Sequence, residues 1–262
     1  MNPDNEDLMM KRAVWTFAAL LAVPLLAIAD VESTEEMTFD VDPGARISLE
    51  NVNGDIDVVG GSGSQVQVTA HKKAGRQEYL DKLEIVVDAD SDYVRIETRH
   101  PKREGGWFSW GEDSSGSVAY TLSVPSDVEL DSIETVNGDV RIRAVSGMVK
   151  AGTVNGGLEV EDLSSDVSLE TVNGKIVAEF AVLGADQRVD AEAVNGRIVI
   201  RLPADASARV TAETVNGSID ADDFGLEPEK GFVGRDLSGT IGGGDARISL
   251  DTVNGSIQIS KK

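Results

Sequence analysis

The stretch Gly156-Gly157-Leu158-Glu159-Val160-Glu161-Asp162-Leu163-Ser164-Ser165-Asp166-Val167-Ser168-Leu169-Glu170-Thr171-Val172-Asn173-Gly174 decides the fold. Leu158 and Val160 alternate with acidic residues, the pattern of a strand with one face inward. Leu163 leads into a loose polar corner at Ser164-Ser165-Asp166. Val167 and Leu169 resume the alternation, and Val172-Asn173-Gly174 ends it. Asn and Gly both tolerate positive φ, so this tripeptide predicts a sharp corner at low steric cost. The segment therefore reads as strand, loose corner, strand, tight corner.

Val-Asn-Gly occurs seven times, ending at Gly54, Gly138, Gly156, Gly174, Gly196, Gly217 and Gly255. Spacings near twenty residues mark a repeat architecture. Two residues after each Gly stand Ile56, Val140, Leu158, Ile176, Ile198, Ile219 and Ile257, and four after it Val58, Ile142, Val160, Ala178, Ile200, Ala221 and Ile259. Five before it stand Leu49, Ile133, Ala151, Leu169, Ala191, Ala212 and Leu250; seven before it the apolar column fails only at Asp131. Asn-Gly between alternating strands also fits a two-residue hairpin, and hence an antiparallel meander. The recurrence of the same residue types in one register favours stacking, Val on Val and Asn on Asn. The expected fold is all-β: a β-solenoid of two-strand coils about 4.8 Å apart.

Insertions at 181–187 and 202–207 are read as longer loose corners, and a larger Gly-rich one covers 222–244. Between Gly54 and Gly138 the alternation persists at Val66–Val68, Leu83–Val87, Val94–Ile96 and Val118–Val124, with one helical turn expected in 76–82. This region reads as irregular early coils. Lys261-Lys262 puts charge beside the final strand, a device that discourages edge-to-edge growth.

Apolar residues make up 40% of the chain and aromatics 5%, with 27 Gly, which suits a thin aliphatic core. A formal charge of −22 repels phosphate backbones, so no nucleic-acid partner is expected. The absence of Cys excludes disulfides, thiolate chemistry and cysteine zinc sites.

Lys11-Arg12, the apolar run Ala13–Ala29 and its ending Ala27-Ile28-Ala29 have the form of a signal peptide, residues 1–29, cleaved after Ala29. Acids at Asp4, Glu6 and Asp7 are unusual there, and Met9 or Met10 offers another start. An uncleaved anchor is the alternative. The expectation is export to the periplasm or cell surface, membrane contact only through this segment, and a single domain over 30–262.

The Thr-Val-Asn-Gly-x-Ile-x-Ile repeats, Leu202-Pro203-Ala204-Asp205 and the closing Ala246-Arg247-Ile248-Ser249-Leu250 resemble a bacterial putative-adhesin family with β-strand repeats, domain of unknown function 4097. The resemblance spans roughly 40–260. It implies a β-solenoid, often exported or membrane-tethered and encoded near envelope-stress regulators, and it brings no catalytic residues to transfer.

Four groups of residues are candidates for function. Asn53, Asn137, Asn155, Asn173, Asn195, Asn216 and Asn254 read as a structural ladder at the turns. Glu50, Glu134, Glu170, Glu192, Glu213 and Asp251 stand four before the corner Gly, with Gly152 breaking the set; they read as a solvated face or as a divalent-cation stripe. The residue after each corner Gly varies, which disfavours a Ca²⁺-binding repeat. Trp107, Phe108 and Trp110, in a Gly-flanked insertion, read either as a contact loop for a glycan, peptide or membrane, or as a cover over the core. His71 and His100, the only histidines, lack a nucleophile motif. No cofactor and no metal site is expected. The chain reads as a non-enzymatic envelope scaffold or contact module for an envelope protein or glycan, with a polysaccharide-processing enzyme and a divalent-cation-dependent binder as alternatives.

Overall fold

A computed structural model describes residues 30–101, 116–231 and 233–262. Two open sheets face each other. One carries three near-end strands and then the seven that follow the corner glycines, in spatial order Val31–Asp40, Gln65–Ala74, Gly116–Pro125, Ile56–Gly61, Val140–Arg143, Leu158–Leu163, Ile176–Phe180, Ile198–Leu202, Ile257–Lys261 and Ile219–Asp220. The other carries the seven strands that lead into the corners, with two more at each end: Glu229–Lys230, Arg235–Ile241, Ala208–Asn216, Ala246–Asn254, Arg188–Asn195, Val167–Asn173, Val149–Asn155, Glu129–Asn137, Arg46–Glu50, Tyr93–Arg99 and Glu84–Asp90.

Equivalent strands of neighbouring coils pair in parallel. Leu158 lies opposite Ile176, Val167 opposite Val189, and Asn155 opposite Asn173. The expected solenoid is therefore present and the hairpin meander is not. The four apolar columns point between the sheets and are buried along the stack, Ile142, Val160, Ala178, Ile200 and Ile259 forming one of them. Burying one such aliphatic side chain is worth about 1.5–3 kcal/mol, and continuous columns leave no coil able to fold alone.

The failed position Asp131 has a local cause. Val149 pairs with Leu130 but Ala151 pairs with Ile133, a β-bulge that inserts one residue. Leu130 thereby takes the core place opposite Ile47 and Val149.

The early part of the chain is irregular, as expected, and one expectation about order needs correction. Residues 62–128 do not separate the first and second Val-Asn-Gly corners in space. Glu50 pairs directly with Glu134, and Val58 with Ile142. The intervening segment is carried to the near end of the stack. There Tyr93–Arg99 and Gly116–Pro125 form one further parallel coil, and antiparallel strands finish both sheets. The helical turn falls at Gln77–Leu80.

At the far end, the last coil in the sequence is not last in space. Ala246–Asn254 lies between Arg188–Asn195 and Ala208–Asn216. The 202–207 connection thus steps over one coil position, and 222–244 brings the chain back to fill it. Lys261–Lys262 consequently does not guard an edge. Lys262 reaches Glu179 at 2.7 Å and Asp162 at 3.6 Å, and its hydrogen bond holds the Glu179 carboxyl below the ordinary range. The far end is capped instead by Arg235–Ile241, antiparallel to Ala208–Asn216, and by a 3-10 turn at Asp222–Phe224.

Candidate functional site: the corner columns and the outer face

The tight corners are built from three aligned columns. The asparagine amides form one chain of hydrogen bonds. Asn137 donates to Asn53, Asn155 to Asn137, Asn173 to Asn155, Asn195 to Asn173, Asn254 to Asn195 and Asn216 to Asn254, all at 2.8–2.9 Å. Asn53 donates to the carbonyl of Gly116, at 3.2 Å. Asn137, Asn155, Asn173, Asn195 and Asn254 each accept on the oxygen from one neighbour and donate the nitrogen to the other, the zipper-like use of stacked Asn.

The glycine column is required for a reason other than the expected one. Among the corner glycines only Gly54 has positive φ, and no corner asparagine does. A Cβ on Gly138, Gly156, Gly174, Gly196, Gly255 or Gly217 would instead lie closer than 3.0 Å to the carbonyl oxygen of the glycine in the adjoining coil. Only a residue without a side chain lets successive corners approach this closely.

The third column is one the sequence reading did not single out. Thr135, Thr153, Thr171, Thr252 and Thr214 are buried, and each hydroxyl donates to a corner carbonyl, of Gly54, Gly138, Gly156, Gly196 and Gly255 respectively, at 3.0–3.2 Å. Asn51 takes the same place in the first corner coil, donating to Val118 O at 2.8 Å. Ala193 is the exception. The signal was available: Thr precedes Val-Asn-Gly in five of the seven repeats, at core parity.

Outside these columns, the other parity of the same strands faces solvent. The acidic residues stack as foreseen, in the order Glu97, Glu50, Glu134, Gly152, Glu170, Glu192, Asp251, Glu213, with Asp236 beyond. Two residues along, the motif valines form a parallel apolar column. Val52, Val136, Val154, Val172, Val194, Val253 and Val215 are each 37–43% exposed. From Glu50 and Val136 onward the two columns line an open trough of about 860 Å³, with Val233 and Asp236 at its far end. Gly152 opens a gap in the acidic column, beside the Lys150–Asp131 pair at 3.4 Å.

Carboxylates one strand apart repel, and the effect is visible at Asp251. Partial burial, and then the neighbouring Glu192 and Asp190 charges, push its carboxyl above the ordinary value. Asp55 and Asp139, which follow corner glycines, act as backbone acceptors: Asp55 receives the Asp139 N–H and Asp139 the Gly157 N–H, at 2.9 and 2.8 Å. Among the described residues no cluster of three or more His, Asp or Glu has metal-ligating geometry.

His71 lies between the Thr34 hydroxyl at 3.1 Å and Glu32 at 3.5 Å. This is a hydroxyl–imidazole–carboxylate sequence, but it lies on exposed cross-strand pairs outside both the trough and the smaller cavity. His100 meets Tyr79 at 3.0 Å, and burial lowers its pKa.

Trp107, Phe108 and Trp110 lie outside the described residues, as does the 1–29 segment. The strands that flank 102–115 sit beside Arg46–Glu50 and Ile56–Gly61. That connection thus stands in the chain where the other coils have Val-Asn-Gly.

A family model, Toastrack DUF4097, matches residues 109–260. A putative cell adhesion protein from Clostridium sporogenes is similar at 15% identity, with 88% of this chain and 100% of that one covered and a TM-score of 0.45. A putative adhesin from Bacteroides fragilis is similar at 10% identity, with 87% and 97% covered and a TM-score of 0.40. Comparison with curated proteins found no match.

Proposed function

Because this chain belongs to the Toastrack DUF4097 family, we propose that it is a non-enzymatic contact module of the bacterial cell envelope, exported by its 1–29 segment and cleaved after Ala29. The contact surface is the outer trough, where paired columns of carboxylates and half-exposed valines run along the stack. That pairing is the observation that carries the reading. A solvated face kept only for solubility has no use for a continuous apolar stripe beside its charges, since exposed aliphatic rows invite association. The partner is an envelope protein or glycan that offers cationic or polar groups over the acidic column and apolar surface over the valines. Trp107, Phe108 and Trp110 supply a second set of contact side chains.

The test is cosedimentation of residues 30–262 with a bacterial envelope fraction. The double variant Glu170→Lys/Val172→Ser changes only outward-facing residues and is expected to lose retention while keeping its melting temperature within a few degrees. The Trp107→Ala/Trp110→Ala variant is expected to weaken it. Retention unchanged in both would overturn the proposal. A melting temperature that rises with Ca²⁺ and falls with chelator would favour the cation-dependent reading instead. Glycan turnover lost on carboxylate substitution would favour the enzyme.

A further inference from the structure

The strands of the second sheet also carry an arginine column, outside the lining of the trough and independent of it. Eight residues before their corner glycines stand Arg188, Arg247 and Arg209. Arg188 pairs with Arg247 and Arg247 with Arg209, so the three lie in register on adjacent strands. All three side chains are exposed on one face, one strand spacing, about 4.8 Å, apart. The intercalated final coil supplies the middle one.

Two features mark this column. First, Arg46, Arg99, Arg141 and Arg201 each have a carboxylate within 4.0 Å. Among the described residues, no ion pair is formed by Arg188, Arg209 or Arg247, a property they share with Arg95, Arg143, Arg197 and Arg235. The nearby carboxylates are committed elsewhere or stand apart: Asp245 accepts the Ser207 hydroxyl at 2.8 Å, and Asp166 accepts the Arg188 backbone N–H at 2.9 Å. Asp186 and Asp190 make no such contact with them. Second, and unlike those other four, the three arginines border one cavity of about 400 Å³, which Asp186 and Asp245 also line outside ion-pair distance and which Gly243 and Gly244 close on one side. A side chain on Gly244, where φ is +78°, would press first on the Thr240 methyl and then on the Arg209 stem, so the glycine keeps that wall open.

Three like charges held at strand spacing on a protein of net charge −22, without partners of their own, call for an anion. Guanidinium forks match oxyanions in two-point geometry, and several forks on one rigid sheet suit a multiply charged one. We propose that Arg188, Arg247 and Arg209 form a binding site for a phosphate-bearing polyanion. The phosphates come either from a soluble polyanion or from anionic lipid headgroups.

The experiment uses the chain from residue 30 onward, at fixed ionic strength. Tripolyphosphate binding is measured by calorimetry, and capture on phosphatidylglycerol vesicles by flotation, with phosphatidylcholine vesicles as reference. Arg247→Gln removes the central fork at an exposed position. Arg197→Gln removes an equal charge from a tight corner, where the side chain bonds only Ser256. The expected result is that Arg247→Gln weakens binding of at least one probe about tenfold while Arg197→Gln leaves it unchanged. Loss confined to the vesicles assigns a lipid source; loss confined to tripolyphosphate assigns a soluble one. No binding to either probe, or equal weakening by the two variants, overturns the site.

Discussion

The side-chain amide of Asn254 donates to Asn195 at 2.8 Å across 59 residues of chain, while Asn216, only 21 positions beyond Asn195, bonds Asn254 instead. The ladder is continuous in space because the final coil fills a place left open by an earlier one. Its continuity makes each amide between Asn53 and Asn216 in the stack dependent on two neighbours.

Asn173→Ala is therefore expected to leave Asn155 without its donor and Asn195 without its acceptor. In this exposed column the cost is about 1 kcal/mol, read as a lower midpoint in urea. The same order implies that the Asn-Gly pairs resist deamidation in the folded chain. Mass spectrometry after incubation should show the reaction only once the protein is unfolded.

Corner glycines and Gly152 should respond in opposite ways. Gly174→Ala drives a methyl group into the Gly156 carbonyl and is expected to cost about 3 kcal/mol, or to prevent folding. Gly152 has only ordinary contacts at 3.7 Å, so Gly152→Ala is expected to be neutral or stabilising by thermal melting.

Ala193 interrupts the threonine column, and no hydroxyl reaches Gly174 from that place. Ala193→Thr is expected to supply the bond that Thr171 gives to Gly156 and to stabilise by about 0.5–1 kcal/mol. Thr171→Val, which removes an existing bond of the same kind, should cost about 1 kcal/mol.

Asp251 carries the pH dependence of the acidic column. Its carboxyl is raised in the folded chain above the ordinary 3.8, so folding favours its protonated form. That stabilisation is complete below the unfolded value and is lost as pH rises through the folded one. Asp251→Asn should accordingly be more stable than the parent at pH 7, with the gap closing in acid. A melting series from pH 3 to pH 7 checks the sign.

Much of this was legible because residue identity repeats with position. The apolar columns, the Asn ladder and the acidic row followed from alignment on Val-Asn-Gly. Parity alone placed Val172 on the same outward face as Glu170, although the sequence reading drew no surface from it. The use of the corner glycines was misread, since φ tolerance is a property of one residue and their crowding arises only between coils. The order of coils was hidden for a related reason. The repeat gives every coil the same edges, so Ala246–Asn254 fits between any two of them, and spacing in sequence does not say which. The bulge at Asp131 showed in the sequence only as a broken column, with no sign of the shift that Leu130 makes to mend it.

The central claim is that the last coil lies between two that precede it. Interstrand backbone NOEs test it most directly, because they connect neighbouring strands and vanish across two strand spacings of about 9.6 Å. The structure predicts NOEs joining Leu250 to both Ala191 and Ala212, and none between Ala191 and Ala212. NOEs linking Ala191 directly to Ala212, with Leu250 joined to only one of them, would contradict it.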